Sequence, residues 1–269
     1  MLTTQSITSH IKPIAQAGLT AKGIVYCLLG VLTFMAAFHI NGQSADDANT
    51  NGVFSFLYRQ TGGRMILGII ALGLVCYCIW RCIQTFADTE DKGDDKKGIA
   101  VRARYLFSGL AYATLAFSIV RMLWFNVSGG GDSKQNMARE LLNQPAGQWL
   151  LGIAALAIAG IGIYQIYYGW SEKYKKHVDK VINDSNKRKI LLGAGKIGYV
   201  SRGIVWLLIA WLFINATIDA KASEAGDTSK AFTLIEKSEY GSLILATMGF
   251  GLICYGIFSF IRAKYEDLG

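Results

Sequence analysis

The chain has 269 residues, with 27 Lys and Arg against 19 Asp and Glu, for a formal net charge of +8. Hydrophobic residues make up 52% and charged residues 17%, mean hydropathy is +0.32, and there are 30 glycines but only 2 prolines. That balance excludes an ordinary soluble domain and suits membrane helices packed at small residues. The positive charge is collected on alternate loops, which also argues against a nucleic-acid surface.

The apolar residues fall into six blocks, at 14–38, 65–87, 103–127, 149–170, 197–218 and 241–261. Each is close to the ~20 residues that cross a ~30 Å hydrocarbon layer as a helix, and none shows a polar face at helical period. They predict an all-α integral membrane protein with six transmembrane helices. The segment ahead of the first block, MLTTQSITSHIKPIAQAG, lacks the charged start and small-residue cleavage site of a signal peptide, so the first helix is expected to stay. In that block Lys22 stands beside sixteen uncharged residues, Gly23 to Phe38. A polar loop and the short amphipathic stretch VFSFLYRQTGG lead to the second block, which holds Arg81 and three of the five cysteines. All five (Cys27, Cys76, Cys78, Cys82, Cys254) sit in apolar blocks and are expected to pack as small residues, not to bridge or bind metal. DTEDKGDDKKG at 88–98 reads as a solvated linker.

The third block follows Arg102 and Arg104, carries Ser108 and exits through SGGGD; MARELLNQPAG and the fourth block, with Gln165, come next. The basic segment 171–189 places Tyr174, Val178, Val181 and Ile182 on one helical face, which predicts a helix lying on an anionic leaflet. LLGAGKIG, around Lys196, looks like a phosphate loop, but Ile197 stands where Ser or Thr is required and a membrane helix follows. The fifth block has Arg202 at its edge, again beside sixteen residues free of charge; AFTLIEKSEYG and the sixth block close the chain. If the N-terminus is cytoplasmic, 19 of the 27 cations lie on that side and 8 on the other, so both termini are expected inside.

The blocks are three copies of one two-helix unit. Gly23-Ile-Val-Tyr26, Gly109-Leu-Ala-Tyr112 and Gly203-Ile-Val-Trp206 align at offsets of 86 and 94, and the second helices, from Gly63, Gly147 and Gly241, at 84 and 94. Two crossings per unit make the repeats parallel, with pseudo-threefold symmetry about the membrane normal and a short outer interfacial helix within each. Repeats are expected at 1–88, 89–172 and 173–269, the last opening with the basic segment. Gly23, Gly109 and Gly203 on the first helices, and Gly68, Gly152, Gly162, Gly249 and Gly256 on the second, form stripes that predict close helix contacts.

The openings G-x-x-[AS]-[KR]-G-[IV]-V-[YW] of the first and third repeats, together with G-x-x-[IL]-x-[GA]-x-x-[AG]-x-[GA] in each second helix, resemble the bacterial "domain of unknown function 1206" family. The resemblance covers about residues 13 to 265, and departs at Ser108, where the cation should be. It implies three two-helix repeats in a bacterial inner membrane and no established activity.

Symmetry puts Lys22, Ser108 and Arg202 at equivalent places, and Arg81, Gln165 and Ser259 at another set. Two roles are open to them: cations that snorkel to the cytoplasmic boundary as anchors, or a partly cationic ring around a central pathway. The blocks contain no Asp or Glu for a proton or sodium relay, and His10, His39 and His177 are not paired within a span. No nucleophile–base pair or metal cluster is present, so neither an enzyme nor a cofactor is expected. The sequence predicts a permease or channel for a small anion or neutral solute; the alternative is a non-catalytic subunit or scaffold of a larger complex. Expected partners are the lipid bilayer, anionic lipid at the cytoplasmic face and another membrane protein. A dry plug of Tyr26, Tyr112 and Trp206 on the axis would favour the scaffold.

Overall fold

In hydrocarbon every backbone N–H and C=O needs a partner within its own segment, so long apolar runs poor in proline become helices. The computed structural model describes residues 4–88, 93–125, 133–144, 146–177 and 185–265. These form nine α-helices: α1 Thr4–Ala37, α2 Thr50–Tyr58, α3 Gly63–Phe86, α4 Lys96–Phe125, α5 Ser133–Leu142, α6 Gly147–Trp170, α7 Ser185–Ile218, α8 Thr228–Glu236 and α9 Gly241–Tyr265. Six of them, all but α2, α5 and α8, are long and apolar enough to cross a membrane.

The three short helices lie between the two long helices of each repeat. Asn49 caps α2 by accepting from the Gly52 N–H at 2.9 Å, and Asp227 caps α8 by accepting from the Ser229 N–H at 3.0 Å. Each short helix then turns back sharply. A Cβ on Gly63, Gly147 or Gly241 would collide with the carbonyl oxygen of Leu57, Leu141 or Ile235, so the second long helix opens on glycine every time.

The long helices form a ring in which the second helix of one repeat packs on the first helix of the next. At the α9–α1 seam a Cβ on Gly256 would lie 2.7 Å from the Gly23 carbonyl oxygen, and one on Gly249 2.7 Å from that of Gly30. Gly162 and Gly203 face each other in the same way across α6–α7, at 3.0 and 2.8 Å. At α3–α4 the residue equivalent to Gly162 and Gly256 is Cys78, and a Cβ on Gly109 would lie 3.6 Å from its carbonyl oxygen. Two glycines of the stripes depart from expectation. Gly68 meets no atom within 4 Å, and Gly152 meets only the Thr217 methyl at 3.4 Å, so neither is a close backbone approach.

Within a repeat, α1 packs on α3 and α7 on α9 through matched contacts. A Cβ on Gly18 or Gly198 would come within 2.6 Å of the Tyr77 or Tyr255 Cα. Gly73 abuts the Ala21 methyl, and Gly251 abuts Ser201. The α4–α6 pair of the middle repeat is not closely packed. Its sequence differs at the matched contacts: Arg104 stands where the other repeats have Gly18 and Gly198, Phe107 where they have Ala21 and Ser201, and Ala157 where they have Gly73 and Gly251. At all three places the middle repeat carries a larger side chain than the other two. Only 28% and 22% of the apolar stretches of α4 and α6 is buried, against 44–67% in the other four.

Where the basic segment is described, at Lys173–His177, Tyr174 departs from the membrane-surface helix expected there. Residues Lys173–His177 form a short 3₁₀ turn, and Tyr174 is fully buried in the protein, its hydroxyl donating to the Leu192 carbonyl at 2.7 Å. Its ring occupies the space a side chain at 195 would need, since a Cβ on Gly195 would lie 2.6 Å from it. Gly195, from the stretch that looks like a phosphate loop, is therefore a seat for an aromatic ring. Burial pushes the Tyr174 phenol up to about 12. Val178, Val181 and Ile182 lie outside the described residues.

Candidate functional site

The helices that meet at three seams and separate at one gap surround a cavity of about 740 Å³. Its wall runs from Gln84 and Arg262 at one end to Thr50 and Thr228, in the first turns of α2 and α8, at the other. Lys22, Ser108 and Arg202 all face it, as do Arg81 and Gln165. Ser259 does not; its hydroxyl donates to the Tyr255 carbonyl at 3.0 Å. Tyr26, Tyr112 and Trp206 are on the wall and do not plug the axis.

Lys22 is only 4% exposed, so its ammonium is turned inward instead of snorkelling. It sits 5.3 Å from the ring centroids of Tyr77, Tyr112 and Tyr255, which come from α3, α4 and α9. Gly18 and Gly198 bring two of those rings in, because their missing side chains let the Tyr77 and Tyr255 backbones approach α1 and α7. Arg81, one helical turn beyond Tyr77, donates to its hydroxyl from Nε at 2.9 Å and from Nη2 at 2.7 Å, and from Nη1 to Gln84 Oε1 at 2.7 Å. Its guanidinium also lies over Trp80, at 4.4 Å, and Tyr105, at 4.9 Å. Arg202 repeats the pattern in the third repeat, donating to the Tyr255 hydroxyl and lying 5.0 Å over the Tyr26 ring. Lys22 shares the Tyr77 ring with Arg81 and the Tyr255 ring with Arg202, which keeps each pair of charges within about 10 Å.

Five cations thus line the cavity, counting Arg104 and Arg262, and no Asp or Glu is among the described lining residues. At an effective dielectric of ~20, two like charges about 10 Å apart repel by roughly 1.7 kcal/mol. The tyrosine rings offset part of this, at ~0.5–2 kcal/mol per contact, but supply no full negative charge. Three polar atoms are buried here without a hydrogen-bond partner among the described residues: the Tyr112 hydroxyl, Gln165 Oε1 and Arg202 Nε. Unpaired buried polar groups are expensive. An anion carrying oxygen acceptors would satisfy the tyrosine and arginine donors together.

The cation positions follow from the repeat offsets alone. The tyrosine cage does not, because a tyrosine in an apolar block reads as packing. The available signal was the Tyr77–Arg81 spacing of four with Tyr255 at the position equivalent to Tyr77. Arg104, displaced from the repeat pattern, bridges the α4–α6 gap by donating to the Tyr164 hydroxyl at 2.8 Å.

Six spans, three parallel two-helix repeats and a cationic cavity between them define a polytopic membrane protein. The model of the family described as Domain of Unknown Function (DUF1206) matches residues 17–88, 103–172 and 197–266, and the chain belongs to that family. It is also similar to an uncharacterized protein, YxxB, of Bacillus subtilis (strain 168), with 30% identity over 266 residues, covering 98% of this chain and 94% of that protein. No solved structure matches.

Proposed function

We propose that the protein is a bacterial inner-membrane permease that takes an anion, not a neutral solute, into the cavity between its repeats, and that it is not an enzyme. The observation that carries the reading is the membrane-embedded wall bearing five cations and no described carboxylate. The unpartnered Tyr112 hydroxyl and Arg202 Nε support it, since both can donate to an incoming anion. The volume lies within the ~300–1,000 Å³ usual for ligand sites. The test is flux in proteoliposomes, per folded molecule. Lys22→Gln/Arg202→Gln should cut anion flux at least tenfold while insertion is kept, and Ser108→Lys should raise it. Equal flux in parent and double variant, or none in either, would leave the non-catalytic scaffold as the better reading.

The excess of Lys and Arg supports an orientation with the α3–α4 and α6–α7 connections in the cytoplasm and α2, α5 and α8 outside. In a variant without native cysteines, a membrane-impermeant thiol reagent on intact cells should label Lys237→Cys and spare Lys97→Cys. The reverse result overturns the topology.

A further inference from the structure

Resting on that anion reading, we propose that the ligand is an anionic amphiphile that enters sideways between α4 and α6, its phosphate head in the tyrosine–cation cage and its tail in the gap. Three observations lead there. Ala111 and Thr114 of α4, and Ala157 and Gly160 of α6, are exposed and also line the cavity, and α4 and α6 are not packed on each other, so the cavity opens between them. The opening belongs to one repeat alone, because the other two are shut by the Gly18–Tyr77 and Gly198–Tyr255 contacts. A Cβ on Gly160 meets nothing within 4 Å, so the slot is clear of side chains there.

The second observation is scale. A water occupies ~30 Å³ of liquid, and an inorganic oxyanion about two to three times that. A bare anion therefore fills only about a tenth of the cavity.

The third is chemistry. The slot wall at Ala111, Ala157 and Gly160 is small and apolar, while Tyr112 (5% exposed) and Gln165 (8%), also on the cavity wall, carry buried polar atoms with no partner among the described residues. Arg202 Nε and the Tyr112 hydroxyl donate to phosphate oxygens, and Gln165 Oε1 accepts from a protonated phosphate oxygen, which a monoester carries in part near neutral pH. Arg104 and Tyr164, joined across one end of the gap, stand where a head would pass from lipid to cage.

The experiment uses the whole protein in a neutral detergent and three probes: a short-chain phosphatidate, the matching diacylglycerol and inorganic phosphate. Calorimetric titration should show phosphatidate binding at least tenfold tighter than phosphate, with no binding of diacylglycerol. Lys22→Gln/Arg202→Gln should weaken phosphatidate at least tenfold. Gly160→Phe, at an open site, should shift the ratio of phosphatidate to phosphate affinity at least tenfold towards phosphate, and Ala157→Leu on the same wall should act in the same direction. Phosphate binding with an unchanged ratio in both slot variants, or phosphate bound as tightly as phosphatidate, overturns the lateral amphiphile but leaves the anion reading. Diacylglycerol bound like phosphatidate also overturns it. If the parent binds neither phosphate nor phosphatidate, the anion reading itself falls.

Discussion

A lysine ammonium inside a bilayer gives up hydration at ~2.5–3.5 kcal/mol near the centre of the layer. At Lys22 the replacement is three aromatic faces 5.3 Å away, and no described lining residue is acidic. Rings tolerate a cation without neutralising it. Lys22 should therefore be a residue kept against stability. Lys22→Met, similar in length and uncharged, is expected to melt in detergent at the parent's temperature or a few degrees above, while anion binding is lost. A fall of about 2 kcal/mol or more would instead make Lys22 a structural cation whose rings hold the fold. The same reasoning separates it from Arg81, whose guanidinium has Tyr77 and Gln84 as hydrogen-bond partners. Arg81→Met should destabilise by roughly 1–3 kcal/mol, because it removes the charged donors that Tyr77 and Gln84 accept from.

Helices in lipid gain little from hiding apolar surface and associate through backbone proximity. The seams obey this unequally, so equal-looking glycines should respond differently to a large side chain. Gly256→Leu, set against Cys27 and the Gly23 carbonyl, is expected to prevent folding or cost several kcal/mol. Gly152→Leu, with only the Thr217 methyl nearby, should cost about 1 kcal/mol, and Gly68→Leu close to nothing. Detergent melting of the three in that order checks the seams; equal losses would contradict them. The six spans, the repeats, and the equivalence of Lys22, Ser108 and Arg202 and of Arg81 and Gln165 were legible because offsets of 84, 86 and 94 recur along the chain; which way those side chains turn was not. A stripe on a helix does not say how near its neighbour comes, which is why Gly68 looked like Gly162. That distance depends on the neighbouring helix, and nothing from it lies within 4 Å of a Cβ at Gly68. The gap was hidden for a related reason: Arg104, Phe107 and Ala157 acquire meaning only once Gly18, Ala21 and Gly73 are known to touch the opposite helix.

For the whole molecule, the ring is threefold in its seams and onefold in its opening, and the repeat that opens differs from the others at Arg104, Phe107 and Ala157. Rewriting the middle repeat in the manner of the third, with Arg104→Gly, Phe107→Ser and Ala157→Gly, should let α4 close on α6. The expected outcome is a higher melting temperature together with loss of phosphatidate binding. A more open or less stable protein would show that these residues do not set the gap. The α9–α1 seam has a consequence in time. Cys27 meets the Ile253 carbonyl across 226 residues of chain, so the two helices that clasp most closely are made far apart. At ~5–20 residues per second of synthesis, α1 waits on the order of ten to forty-five seconds for its partner. Through that interval Lys22 lacks the Tyr255 ring, and the nascent chain holds a cation in the membrane without its full shield. The first repeat is an unfinished clasp until the third arrives, so a ribosome stalled before Gly241 should leave a fragment prone to slip from the bilayer or be degraded.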